Sequence, residues 1–131
     1  MWSRIGPGMT SSLRVLVCDD DVEACEALVS ALDGEQIVVE AVHNGTDAVH
    51  ALASGTFAAA FLDIGLPDIS GFEVATQVRR AGLVPRIRLI AVTGRGQASD
   101  REKSRQAGFD LHLTKPIRIE QIVAALSTIK R

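Results

Sequence analysis

Apolar residues recur along this chain in two alternating rhythms. Leu13-Arg-Val-Leu-Val-Cys18 is a short β-branched apolar run and predicts a strand. Val22, Cys25, Leu28, Val29 and Leu32 then fall at spacings of three and four, predicting a helix that buries that face. Asp33-Gly34 stops it. Gln36 to Val42 predicts a second strand, and Asn44-Gly45-Thr46 opens a helix with Ala48, Val49, Ala51 and Leu52 inward, ended by Ser54-Gly55. Phe57 to Leu62 is apolar throughout and stops at Asp63, which reads as a strand buried on both faces. Gly65, Pro67 and Gly71 mark the loop beyond it. Ser70 caps a helix burying Val74, Ala75 and Val78, closed by Gly82 and Pro85. Ile87 to Val92 predicts a fourth strand, running into Thr93-Gly94. Gln97 to Ala107 is polar but helix-forming, and Gly108 ends it. Leu111-His-Leu113 predicts a short fifth strand ending in Thr114-Lys115-Pro116. The last helix is read as burying Ile119, Ile122, Val123, Leu126 and Ile129.

Five strand–helix alternations predict an α/β fold with a parallel sheet covered on both faces, because parallel strands need right-handed crossovers. The 131 residues suffice for one domain with a real core and are too few for two. Residues 1–12, with Gly6, Pro7, Gly8, Thr10, Ser11 and Ser12, read as a disordered arm, linker or tag remnant, and 13–131 as the domain.

Composition narrows the function classes. Hydrophobic content is 47% and charged content 23%, ordinary for a soluble globular domain. A net charge of -2 offers no electrostatic case for direct contact with nucleic acid or an anionic membrane. No apolar run approaches a membrane span, and residues 1–12 lack the apolar core of a signal peptide. Cys18 ends a strand and Cys25 lies on an apolar helix face. Both read as buried small hydrophobes, which suits a reducing, cytoplasmic setting.

The chemistry emerges when the strand ends are aligned. Parallel strands place Asp19 and Asp20, Asp63, Thr93 and Lys115 on one edge of the sheet, where open α/β sheets bind ligands. Clustered carboxylates repel one another unless a cation is present, and an oxygen-only set suits Mg2+. Thr93 can donate to a phosphoryl oxygen and Lys115 supplies a point charge for it. Asp63 is the candidate nucleophile, because carboxylates can form aspartyl phosphates. Each element alone has a plainer reading: a turn cap for Asp63, a helix cap or solvated pair for Asp19-Asp20, a strand end for Thr93, a turn for Lys115-Pro116. The joint placement is what carries the chemistry.

Four stretches, VLVCDDD (15–21), FLDIGLPDISGFE (61–73), LIAVTG (89–94) and AGFDLHLTKP (107–116), resemble in wording and spacing the receiver domain of two-component response regulators. The resemblance covers residues 13–130. It implies a flavodoxin-like (βα)5 fold with strand order 2-1-3-4-5, and an Asp63 that accepts a phosphoryl group from a histidine kinase or histidine phosphotransfer protein. It implies direct Mg2+ (or Mn2+) binding by Asp20 and Asp63, partly water-mediated binding by Asp19, and a further ligand in the Gly65 backbone carbonyl. Thr93, Gly94 and Lys115 would hold or sense the phosphoryl oxygens, and Pro116 is the candidate cis-proline. The implied product is a switch that assists only its own phosphorylation and dephosphorylation, with a downstream protein target read through the fourth helix, fifth strand and fifth helix, and a phosphorylation-dependent dimer among the options. The alternative within the family is a degenerate receiver that docks without phosphorylation.

Three positions depart from the family's pattern. His112 stands where members commonly carry Tyr or Phe as a rotamer switch. It is either such a switch, sensitive to pH, or a partly exposed histidine on an edge strand. Gly65 offers no side chain to shield an acyl phosphate. Arg95 either reaches the phosphoryl group or is solvated. A true phosphohydrolase is disfavoured because Gly65, not a second carboxylate, stands two residues past Asp63. A flavin module is disfavoured because three aspartates follow the first strand where a phosphate cradle would be needed. The chain reads as a stand-alone regulator or as a receiver excised from a larger protein, and its wording leans toward hybrid histidine kinases, in which case the full protein would be a histidine kinase.

Overall fold

In the computed structural model, residues 13–34, 36–83, 86–94 and 98–129 are described, with side chains throughout except at 98–100. Residues 1–12, Pro85, Arg95 and Gln97, each given a reading from the sequence, lie outside them.

Five strands and five helices alternate: β1 (Leu13–Cys18), α1 (Val22–Leu32), β2 (Ile37–Val42), α2 (Gly45–Leu52), β3 (Ala59–Asp63), α3 (Gly71–Ala81), β4 (Arg88–Thr93), α4 (Ala98–Ala107), β5 (Leu111–Thr114) and α5 (Ile119–Ser127). All strand pairs are parallel, in the order β2-β1-β3-β4-β5. The predicted flavodoxin-like topology is therefore the observed one.

The period of two along each strand divides the core into two layers. Leu16, Cys18, Ala60, Leu62, Leu89 and Ala91 face α2 and α3, meeting Ala48, Leu52, Val74, Ala75 and Val78. Val15, Val17, Ala59, Phe61, Ile90 and Val92 face α1 and α5, meeting Cys25, Leu32, Ile122 and Ala125. Every residue of β3 is buried, as the unbroken apolar run requires. Phe57 precedes the strand, yet it too is buried.

Helix starts follow the predicted caps. Asn44 Oδ1 accepts the Asp47 N–H and Ser70 Oγ the Glu73 N–H. Asp21, the third carboxylate after β1, caps α1 by accepting from Glu23 and Ala24.

Three core expectations fail. Val22, Ile119 and Val123 are 52%, 61% and 61% exposed. Val22 and Ile119 are the first residues of α1 and α5, in turns that begin beyond the strand ends and have no sheet beneath them. Val123 lies about 100° around the helix from Ile122, off the stripe that Ile122 and Ala125 bury.

Candidate functional site

The carboxyl edge of the sheet gathers residues from four strand ends. β1 runs into Asp19, 5% exposed, and the exposed Asp20; β3 ends in Asp63 and β4 in Thr93, each 9% exposed. Beyond β5 stands Lys115, whose N–H donates to the Thr93 carbonyl at 2.8 Å. The Lys115–Pro116 peptide bond is cis.

α3 is seated against this edge by Gly71. A Cβ there would lie 2.6 Å from the Asp63 carbonyl oxygen and 2.8 Å from the Ile64 Cα, so only glycine permits the approach. The Gly71 N–H donates to the Ile64 carbonyl at 2.9 Å. The backbone that presents Asp63 is thus gripped from the next helix.

Lys115 Nζ lies 2.7 Å from Asp19 Oδ2 and 3.4 Å from Asp63 Oδ2. Asp63 Oδ1 accepts the Gly65 N–H at 3.1 Å, and Asp19 Oδ1 the Asp21 N–H at 2.9 Å. Burial pushes the Asp63 carboxyl above its ordinary pKa; Lys115 opposes this and the Asp19 charge adds to it. Burial also works against the Lys115 ammonium, but the hydrogen bond to Asp19 and the Asp63 charge prevail and raise its pKa.

One carboxylate oxygen from each of Asp19, Asp20 and Asp63 lies within 4.8 Å of the others. Three hard oxygen donors gathered this closely, two of them with an ammonium alongside, fit a divalent cation such as Mg2+. A cleft of about 930 Å³ opens beside Asp19, its lining including Gly94, Lys115, Ala27, Leu28 and Ile122.

The family model described as the response regulator receiver domain matches residues 15–127. The chain belongs to the response regulator receiver family. This receiver is similar to the transcriptional regulatory protein TcrA of Mycobacterium tuberculosis, 35% identical over 124 residues covering 95% of this chain and 48% of TcrA. It is also similar to the response regulator MprA of Mycobacterium ulcerans, 33% identical over 120 residues covering 92% of this chain and 51% of MprA. The receiver thus spans about half the length of the curated relatives it matches. Among solved structures, a CheY-like receiver domain from Methanospirillum hungatei JF-1 superposes with a TM-score of 0.81 at 26% identity, covering 89% of this chain and 92% of that one. A response regulator from Burkholderia pseudomallei, solved with a phosphorylated aspartic acid, calcium ion and citrate, gives a TM-score of 0.79 at 26% identity, covering 89% and 68%.

His112 lies half-buried on β5, the edge strand, and its Nδ1 is 2.9 Å from Ser104 Oγ of α4. Ser104 is 2% exposed. The sheet-edge placement and an engagement with α4 therefore hold together. At Gly65 an added Cβ would meet nothing within 4 Å. Two residues near the site escaped the sequence reading: His43, whose ring contacts the Asp19 carbonyl, and Asp68, which caps α2 from the loop after β3. The partners of both lie more than twenty residues away, so His43 leaves no local signal. Asp68 alone had a hint, as a carboxylate in a turn-rich loop.

Proposed function

We propose that this receiver is a phosphorylation-dependent switch in a two-component phosphorelay, with Asp63 as the phosphoacceptor. The observation that carries this reading is the grouping of the Asp63 carboxylate with Asp19, Asp20 and the Lys115 ammonium at the sheet's carboxyl edge. The related Burkholderia protein with a phosphorylated aspartic acid supports the same chemistry here.

An Asp63 oxygen attacks the phosphorus of a phosphohistidine on a histidine kinase or phosphotransfer protein. The new O–P bond forms as the P–N bond breaks, and its electron pair leaves with the imidazole nitrogen. Lys115 donates to a phosphoryl oxygen and Thr93 offers its hydroxyl at the adjacent strand end. Asp19, Asp20, Asp63 and the Gly65 carbonyl would hold Mg2+ or Mn2+, which supplies positive charge against the carboxylate and phosphoryl oxygens. Hydrolysis reverses the state: water attacks phosphorus, the P–O bond to Asp63 breaks, and inorganic phosphate leaves.

The readout face is α4, β5 and α5. Among the described side chains of α4 only Ser104 is buried, and its hydrogen bond to His112 joins the helix to β5. Weakly packed elements move most readily in switching. The exposed Ile119 and Val123 of α5 offer apolar surface to a downstream protein. The chain acts as a stand-alone regulator or as the receiver of a larger protein such as a hybrid histidine kinase. Among the described residues no helix is long and apolar enough to cross a membrane, which fits a cytoplasmic site of action.

Intact mass after incubation with acetyl phosphate or phosphoramidate and Mg2+ tests the core of this reading. One added phosphoryl group, absent in Asp63→Asn and in excess chelator, is the expected result. A folded wild type that gains none from these donors or from a phosphorylated histidine phosphotransfer protein would overturn it.

A further inference from the structure

The turn between β2 and α2 contributes no carboxylate to the acidic cluster, yet both loops that do are tied to it. On one side, the Asp19 N–H donates to the Val42 carbonyl at 3.2 Å, the last backbone rung between the ends of β1 and β2. His43 adds the next rung with its side chain: Nδ1 lies 2.9 Å from the Asp19 carbonyl oxygen. A carbonyl only accepts, so Nδ1 carries the proton and donates. The bond pins the peptide plane between Asp19 and Asp20, and so the direction in which the Asp20 side chain leaves the backbone. His43 itself is exposed, so packing does not account for the imidazole there.

On the other side, Asp68, five residues past Asp63, grips the same turn. Its Oδ1 accepts the Gly45 N–H at 2.7 Å; its Oδ2 accepts the Thr46 N–H at 2.8 Å and the Thr46 hydroxyl at 2.5 Å. These are the first amides of α2, where a carboxylate is favoured by the helix dipole. The Thr46 hydroxyl and the two amides hold the Asp68 carboxyl far below the usual carboxylate range. The neighbouring Ile69 sits so close that a Cβ on Gly45 would lie 2.5 Å from its Cγ1 and 2.8 Å from its carbonyl oxygen.

We propose that the turn His43–Thr46 is the spacer of the metal site, with His43 and Asp68 as positioning residues that fix the Asp19–Asp20 loop relative to the Asp63 loop. Neither residue is assigned contact with cation or phosphoryl group; both act through the backbone that carries the ligands. The inference rests on the reading of Asp19, Asp20 and Asp63 as a Mg2+ site, and it adds a determinant specific to this chain's own residues.

Calorimetric Mg2+ titration of the full chain tests it, paired with urea unfolding in chelator, on wild type, His43→Ala, His43→Asn and Asp68→Ala. His43→Ala should weaken Mg2+ binding about threefold to tenfold, the equivalent of losing one net hydrogen bond. His43→Asn, whose amide also donates, should stay within about twofold of wild type. Asp68→Ala should weaken binding in the same sense, measured on protein whose circular dichroism shows it folded. Wild-type Mg2+ affinity in His43→Ala and Asp68→Ala, with only stability lowered, would reduce both residues to ordinary loop caps and overturn the proposal alone. A folded wild type that binds no Mg2+ would overturn the metal-site reading, and this inference with it.

Discussion

Lys115 stands nearer to Asp19 than to Asp63: its Nζ is 2.7 Å from the first carboxylate and 3.4 Å from the second. The ammonium is thus held mainly by a neighbour of the proposed acceptor. A phosphoryl group on Asp63 would bring new oxygens within its reach and compete with Asp19 for it. Lys115→Met should therefore slow phosphoryl acceptance about a hundredfold, the usual effect of removing one charge-stabilising donor. The rate of mass gain with acetyl phosphate checks this, and an unchanged rate would remove Lys115 from the chemistry.

Asp63 is held at a cost to the fold. Its folded-state pKa lies above the unfolded value, chiefly through burial. Ionising it therefore destabilises the protein; the penalty is absent below the unfolded pKa and complete once pH has risen through the folded one. At neutral pH in chelator, Asp63→Asn should be more stable than wild type by about 1 kcal/mol, the scale of relieving a functional-site conflict. Adding Mg2+ should narrow the gap by stabilising wild type alone. Urea melts with and without Mg2+ give both numbers.

Open space surrounds Gly65. Since a Cβ there meets nothing within 4 Å, the backbone admits a side chain at this position, which would stand near an acyl phosphate on Asp63. Gly65→Met should lengthen the phosphoryl lifetime by about threefold to tenfold by excluding water. Decay of the phosphorylated mass after donor removal measures it. An unchanged lifetime would show that water reaches phosphorus by another route.

The contact between the buried Ser104 and the half-buried His112 links α4 to β5. Ser104→Ala should loosen α4 by about 0.5–1.5 kcal/mol, the net value of one hydrogen bond. Amide exchange should quicken in α4 while β1 and β3 keep their protection. Exchange unchanged in α4 would mean that other contacts hold the helix.

The sheet and the acidic cluster were legible in the sequence for one physical reason: both follow from local pattern. A buried parallel strand needs an unbroken apolar run, and its end falls where the run stops, so Asp19, Asp63 and Thr93 align from the sequence alone; the short β5 places Lys115 by the same alternation of strand and helix. What escaped depends on partners distant in the chain. Nothing around His43 signals that its ring meets the Asp19 carbonyl, and nothing around Asp110 signals three arginines. Val22 and Ile119 are exposed although apolar because the end of the sheet decides whether anything is there to pack against, and Val123 because it falls beside the stripe that Ile122 and Ala125 bury.

Asp110 lies at the opposite edge from Asp63. Its carboxylate receives Arg79 at 2.9 Å, Arg86 at 2.5 Å and the Leu89 N–H at 2.9 Å, with Arg88 at 3.5 Å. Burial raises its pKa, but the Arg86 and Leu89 hydrogen bonds and the Arg79 charge outweigh burial and leave it below the ordinary value. The stability it contributes is therefore complete above the unfolded carboxylate pKa and lost as pH falls through the folded one. Asp110→Asn should cost about 2 kcal/mol at neutral pH, as expected for lost charge-assisted hydrogen bonds, and should flatten acid unfolding. Urea melts from pH 7 down to 3 would show both effects, and parallel curves for the two proteins would exclude them.

Arg79 closes that network by also donating to the Gly108 carbonyl at 2.9 Å and the Ile87 carbonyl at 2.7 Å, stapling α3 to the entries of β4 and β5. The two rims of the sheet thus have opposite economies of charge. One rim satisfies its buried carboxylate, at some cost to the Arg79 guanidinium, and can serve as an anvil; the other leaves its carboxylate in tension and can serve as a trigger. A hardier receiver can be sought at the Arg79 rim, away from the acidic cluster, whereas any gain in hardiness at the Asp63 rim would come out of the switch proposed for it.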